Sequence, residues 1–120
     1  MTTKKTLPTP FEQVFNQPGY SHFATILKSA YDQAATGKGK ERHANDLPFD
    51  EQPMQKLIAL HGVGFAAGQV GKKLTEAQGM LVRGEVQAAT REILGAIVYA
   101  AGMQVYIDNH MSEFTDGKKT

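Results

Sequence analysis

Hydrophobic positions fall at helical spacing along nearly the whole chain, and no run of useful length alternates with the period of two that a strand requires. Phe23, Ile26, Leu27, Ala30, Tyr31 and Ala34 recur at i, i+3, i+4, i+7, i+8 and i+11. That stripe predicts an amphipathic helix over 22–35, capped by Ser21 and stopped by Gly37. Upstream, Thr9-Pro10-Phe11-Glu12 reads as a capping box that opens a short helix over 10–16, and Gln17-Pro18-Gly19 breaks it. A further helix begins at Asp50 or Glu51 with Pro53 in its first turn and turns Met54, Leu57, Ile58 and His61 inward. Gly62-Val63-Gly64 ends it. Ala67, Val70, Leu74, Ala77 and Leu81 then alternate by three and four, a narrow seam on a helix over 65–82. Arg83-Gly84 makes a turn, and 85–109 is the longest helix. The expected fold is therefore all-α, about five helices ending in a hairpin of 65–82 against 85–109. A flexible N-terminus over 1–9 and a flexible tail over 111–120 flank a single helical domain, 10–110.

The segment from Ile93 to Ile107 is apolar on almost every side, so it should lie centrally and be covered on several faces. A chain of 120 residues has little mass for that task. The expected remedy is a homo-oligomer with Gly95, Tyr99, Gly102 and Tyr106 at the contact. The same segment is shorter than the roughly 20 residues that span a bilayer, and no membrane role is expected.

One stretch has neither period. Gly37 to Pro53, GKGKERHANDLPFDEQP, combines three cations with a His, an Asn, four acids and a buriable Phe49. Structureless connections beyond about 12 residues are usually functional or disordered. Pro48 and Phe49 look like a clip, which predicts an ordered loop over 37–50. Lys38, Lys40 and Arg42, two apart among glycines, have the spacing to aim side chains and amides at one anion. His43 and Asn45 suit the stacking and edge contacts of a base. The alternative is a solvated surface turn in which Asn45-Asp46 simply reverses the chain.

Composition narrows the classes. Thirteen basic against twelve acidic residues leave a net charge of +1, so no broad field attracts nucleic acid or an anionic membrane. An anion must be held by a local site. The absence of cysteine removes thiol catalysis and thiolate metal sites, and fits a cytoplasmic setting. Gly62, Gly64 and Phe65 sit where a helix opens, and the amides there favour an anion. Lys72, a turn or two further on, is grouped with them as a ligand-binding candidate. Gly68-Gln69-Val70-Gly71-Lys72-Lys73 lacks the first Gly, the Ser/Thr and the strand of a P-loop. Glu76 and Glu92 lie eight residues either side of Gly84 and come level if the last helices form a hairpin. They would then make a carboxylate pair for Mg²⁺, or each would bind a neighbouring cation instead.

The strings GKGKERHANDLPFDEQP, GVGFAAGQVGKK and REILGAIVYAA resemble a family of small, mostly uncharacterised helical proteins of tailed phages, over residues 22–108. A fainter likeness is to the MazG-like phage nucleotide pyrophosphohydrolases, although Glu76 and Glu92 lack the E-x-x-E and E-x-x-D partners of that metal site. The first resemblance carries no established activity, and the loop chemistry, in the phage setting that the resemblance implies, points to a protein that binds a nucleotide or another phosphate-bearing small molecule and needs no cofactor. By analogy it sequesters a host signalling nucleotide in the host cytoplasm. Two alternatives stand beside this: a Mg²⁺-dependent nucleoside triphosphate pyrophosphohydrolase using Glu76 and Glu92, and an inhibitor that docks on a host protein.

Overall fold

A computed structural model describes residues 15–36 and 47–115. Among these residues the chain is all-α, with helices α1 (Ser21–Thr36), α2 (Pro53–His61), α3 (Val63–Val82), α4 (Val86–Asn109) and α5 (Ser112–Thr115). A single turn of 3₁₀ helix, Phe49–Glu51, precedes α2. Most of the helix expected over 10–16, and most of the loop after Gly37, lie outside the described residues, and Phe15 and Asn16, which are described, are not helical.

The hairpin of α3 and α4 is the scaffold. Gly84 takes a left-handed φ of 78°. Its amide bonds the Leu81 carbonyl at 3.0 Å while the Glu85 amide reaches back to Met80 at 2.8 Å. This double closure satisfies the last carbonyls of α3 and reverses the chain. At the other end of α3 the join is one residue long. Gly62, at φ 89°, closes α2 through its amide on Ile58 at 2.7 Å, and its carbonyl accepts the Phe65 amide at 3.0 Å. The expected break at Gly62-Val63-Gly64 is thus Gly62 alone, and Val63 and Gly64 already belong to α3.

The core is small and built largely of alanine. Ala24, Ala30, Ala66, Ala77, Ala89 and Ala96 are buried, with Tyr106 and the wholly buried Ile58. Met54, Val63, Phe65 and Met103 pack around Ile58, Ala66 and Tyr106. Three expected faces are corrected here. On α3 the inner stripe is Val63, Ala66, Val70, Lys73, Ala77 and Met80, while Ala67, Leu74 and Leu81 of the expected seam are exposed. Both stripes repeat by three and four, and spacing alone does not say which one meets α4. On α2 the buried residues are Gln55 and Ile58, with Leu57 and His61 outside. On α1 only Ala24 and Ala30 are buried, leaving Phe23 57% and Tyr31 67% exposed.

Small residues set the approach of the helices. A Cβ on Gly102 would run into the Met54 sulfur, and the Gly102 carbonyl accepts the buried Gln55 amide at 2.8 Å. Gly95 is a notch for Lys73, whose Cδ would lie 3.2 Å from a Cβ there. Gly95, Gly102 and Tyr106 are therefore occupied within the chain and are not free for the oligomer contact expected of them. At the C-terminus, Tyr106 stacks on His110 with ring centroids 4.0 Å apart and meets the edge of Phe114. Its hydroxyl donates to the Glu113 carboxylate at 3.2 Å. Residues 112–115 are accordingly a docked helical turn rather than part of a free tail.

These contacts separate the glycines by function. Gly102→Ala should cost about 1–3 kcal/mol, the usual range for overpacking a fitted contact. Gly68→Ala, where nothing lies within 4 Å of the new Cβ, should gain about 0.5–1 kcal/mol of helix propensity. Urea denaturation of the two variants beside the parent protein checks both signs.

Candidate functional site

A groove of about 690 Å³ lies between α1, α4 and the segment that leads into α2. Leu27, Ala30, Tyr31, Ala34 and Ala35 form one wall, and Ile97, Val98 and Ala101 form the floor. Leu47, Pro48, Phe49 and Gln52 close the far side. The volume falls within the roughly 300–1,000 Å³ of small-molecule sites.

Each wall has a local cause. Alanines on α1 and α4 keep the two helices slim where they face each other, so a trough remains between them. The far wall is pinned at three points. The Gln52 amide donates to the Leu47 carbonyl at 3.1 Å, the Glu51 amide to Pro48 at 2.8 Å, and Asn109 donates to the Asp50 carboxylate at 3.2 Å. Phe49 is half-buried in the groove, in keeping with an anchoring role. On the opposite wall, Gln33 donates to the Arg91 carbonyl at 3.1 Å and fixes α1 across α4. The lining is almost wholly apolar. It offers van der Waals surface to a flat or alicyclic group and no charge of its own.

The expected site residues divide into three groups. Lys38, Lys40, Arg42, His43 and Asn45 lie outside the described residues. By chain order they connect the groove's two walls, since α1 ends at Thr36 and the other wall begins at Leu47. Gly62, Gly64, Phe65 and Lys72 do not line the groove. The Phe65 amide is already bonded to Gly62, and the Phe65 ring packs on His61 and Tyr99 at 6.3 and 6.2 Å, which corrects its assignment as a free anion donor. Lys72 is exposed on α3. The third group is the carboxylates. Glu92 faces Lys73 across the hairpin at 3.5 Å, both side chains 25% exposed, and the Lys73 ammonium stands 5.6 Å from the centre of the Tyr99 ring. Glu92 thus takes the cation alternative rather than pairing with Glu76. Among the described residues no group of three or more His, Asp or Glu is placed to hold a metal ion.

Sequence reasoning did not find the groove itself. Its signal was the run of small residues, Ala30, Ala34 and Ala35 on α1 and Ala101 on α4, which reads as ordinary helix packing in the sequence. No protein-family model matches the chain, and no curated protein or solved structure is significantly similar to it. Among the described residues no helix is long and apolar enough to cross a membrane.

Two tyrosines near these contacts are held protonated. Burial raises the pKa of Tyr99 above its ordinary 10.0. Burial also raises Tyr106, helped by its hydrogen bond to Glu113 and by the charge of that carboxylate. The unfolded chain releases these protons at the ordinary value while the native state keeps them, so stability is full below about pH 10 and falls as pH rises beyond it. Urea midpoints measured on either side of that pH should show the fall, and Tyr106→Phe should reduce its slope.

Proposed function

We propose that the protein is a small-molecule binder that takes a nucleotide or another phosphate-bearing ligand, holds it without turnover, and works as a homo-oligomer. The observation that carries this reading is the apolar groove, whose two walls, α1 ending at Thr36 and the segment from Leu47, flank the basic stretch in the sequence. The ten residues 37–46, with Lys38, Lys40, Arg42, His43 and Asn45, are tethered at one end to the α1 wall of the apolar groove and at the other to Leu47. An uncharged trough, with three cations in the stretch of sequence that joins its walls, suits a ligand with a flat apolar part and an anionic part. Recognition of phosphate by a forked guanidinium and ammonium groups is the expected chemistry. The homo-oligomer is supported by the thin core, since Ile58 is the largest wholly buried side chain while leucines such as Leu60 and Leu81 face outward. Together with the likeness to small phage proteins, this supports sequestration of a host signalling nucleotide inside the host cell.

The hydrolase alternative would require Glu92 to leave Lys73, which costs the ion pair and uncovers a half-buried cation. Docking on a host protein would use the same loop without a small ligand.

Titration calorimetry with linear and cyclic nucleotides should give stoichiometric binding, with the ligand recovered unchanged from the complex by mass spectrometry. Arg42→Ala should weaken binding by about 1.5–3 kcal/mol, the scale of a charged hydrogen bond, and leave the unfolding midpoint nearly unchanged. Ala101→Leu, which fills the groove, should weaken it as well. Release of pyrophosphate from a nucleoside triphosphate with Mg²⁺ would establish the enzyme instead. Failure of every nucleotide to bind would remove the ligand reading.

A further inference from the structure

The longest helix carries two stripes of the same period, and the described residues fill only one of them. On α4, Ala89, Glu92, Ala96, Tyr99, Met103 and Tyr106 repeat by three and four and meet α2 and α3. The other stripe runs through Thr90, Ile93, Ile97, Ala100 and Gln104, with Val86 and Ile107 at its ends, spaced alternately four and three. It contains no charge. Val86 is 59% exposed and Ile93 38%, Thr90, Ala100 and Gln104 are exposed, and Ile97 and Ile107 are half-buried. An alternation of three and four with β-branched residues at five of its seven positions, Val86, Thr90, Ile93, Ile97 and Ile107, is the pattern of a helix-packing seam. Burying such a seam is worth about 25 cal/mol for each Å² of apolar surface removed from water.

We infer that a second copy of this chain covers the stripe, with its α4 packed antiparallel on this α4 about a two-fold axis beside Ile97. This rests on, and makes specific, the homo-oligomer of the reading above. The stripe is complementary to itself in that orientation. Reversed about Ile97, Ile93 of one copy faces Ala100 of the other, a large side chain on a small one. Val86 faces Ile107, and Ile97 faces its own counterpart. Thr90 faces Gln104, so the two polar positions of the seam meet each other and not a hydrophobe. The Gln104 amide already donates to Asp108 at 2.9 Å, which leaves the Gln104 carbonyl oxygen to accept from the Thr90 hydroxyl. An unrelated partner would impose no such match between the two halves of one stripe, whereas an isologous contact requires it.

The contact also bears on the groove. Ile97 is the midpoint of the seam and at the same time part of the groove floor. A helix laid over the seam therefore stands beside the groove, and each copy forms part of the surroundings of the other's site.

The chain contains no cysteine, so single thiols report on this geometry without background. The experiment treats full-length Ile97→Cys with a short bis-maleimide at micromolar concentration, beside Gln87→Cys on another face of α4. The expected result is a covalent dimer from Ile97→Cys and none from Gln87→Cys. A mixture of Ile93→Cys and Ala100→Cys chains should cross-link to each other faster than either does to itself. Ala100→Glu, which places a charge in the seam, should lower the mass in light scattering while helical circular dichroism is retained. A monomeric parent protein in light scattering would overturn both this interface and the homo-oligomer reading. An oligomer that survives Ala100→Glu and gives no Ile97→Cys cross-link would overturn the interface and leave the reading standing. Nucleotide binding by the parent protein is read by calorimetry, so loss of the interface and loss of the ligand reading are told apart.

Discussion

The approach of α2 to α4 at Gly102 is the contact on which the rest of the arrangement depends. The Met54 sulfur occupies the place of a side chain at position 102, and Gln55 spends its amide on the Gly102 carbonyl. Any larger residue there would push α2 outward. Ile58, one turn further along α2, would then lose the pocket that it shares with Ala66 and Tyr106. Displacing α2 would also move the Phe49–Glu51 turn, which runs directly into it and forms a wall of the groove. A backbone carbonyl deep in a helix is normally committed to the helix alone. Its second bond, from a buried Gln, is what fixes α2 in rotation as well as distance.

The hairpin obeys a different economy. Lys73 occupies an inner position on α3 where a leucine would be the simpler choice. Its stem lies in the notch at Gly95, its ammonium faces Glu92, and the Tyr99 ring stands nearby. The stem supplies apolar contact and the head group reaches a partner near the surface. A partly exposed ion pair of this kind adds little stability, on the order of 1 kcal/mol or less. What it does supply is register, because sliding α3 by one residue against α4 would part Lys73 from both Glu92 and Gly95. The same pair occupies the carboxylate that a metal site in the hairpin would need.

A core built on alanine has consequences for the surface. Slim side chains let the helices come close, but they leave the larger apolar residues pointing outward, as Phe23, Tyr31, Leu60 and Val82 do. Two features of that surface carry the proposals. Between α1 and α4 the small residues border a trough. Along α4 a second stripe, through Ile93, Ile97 and Ala100, is left by the packing of α2 and α3.

The sequence by itself determined the helices and their ends. Helical periodicity placed the last two within one or two residues, because Gly62 and Gly84 must take positive φ and so stop helices wherever they fall. It also flagged the basic segment after Gly37, since no packing requirement explains three cations and a His at that spacing. Only the tertiary structure decided which faces are inner. The inner stripe of Val63, Ala66, Val70, Lys73, Ala77 and Met80 has the same three-and-four spacing as the expected seam of Ala67, Val70, Leu74, Ala77 and Leu81, with which it shares Val70 and Ala77, and the choice between such stripes is made by the partner helix, which periodicity does not contain. Glycines were ambiguous for the same reason. Gly102 and Gly95 are contact points while Gly68 and Gly71 have open space, a difference that lies in Met54 and Lys73 and not in the glycines. The groove belongs to the same class of feature, because it is a space between helices, and a space is defined by how far apart the walls are held.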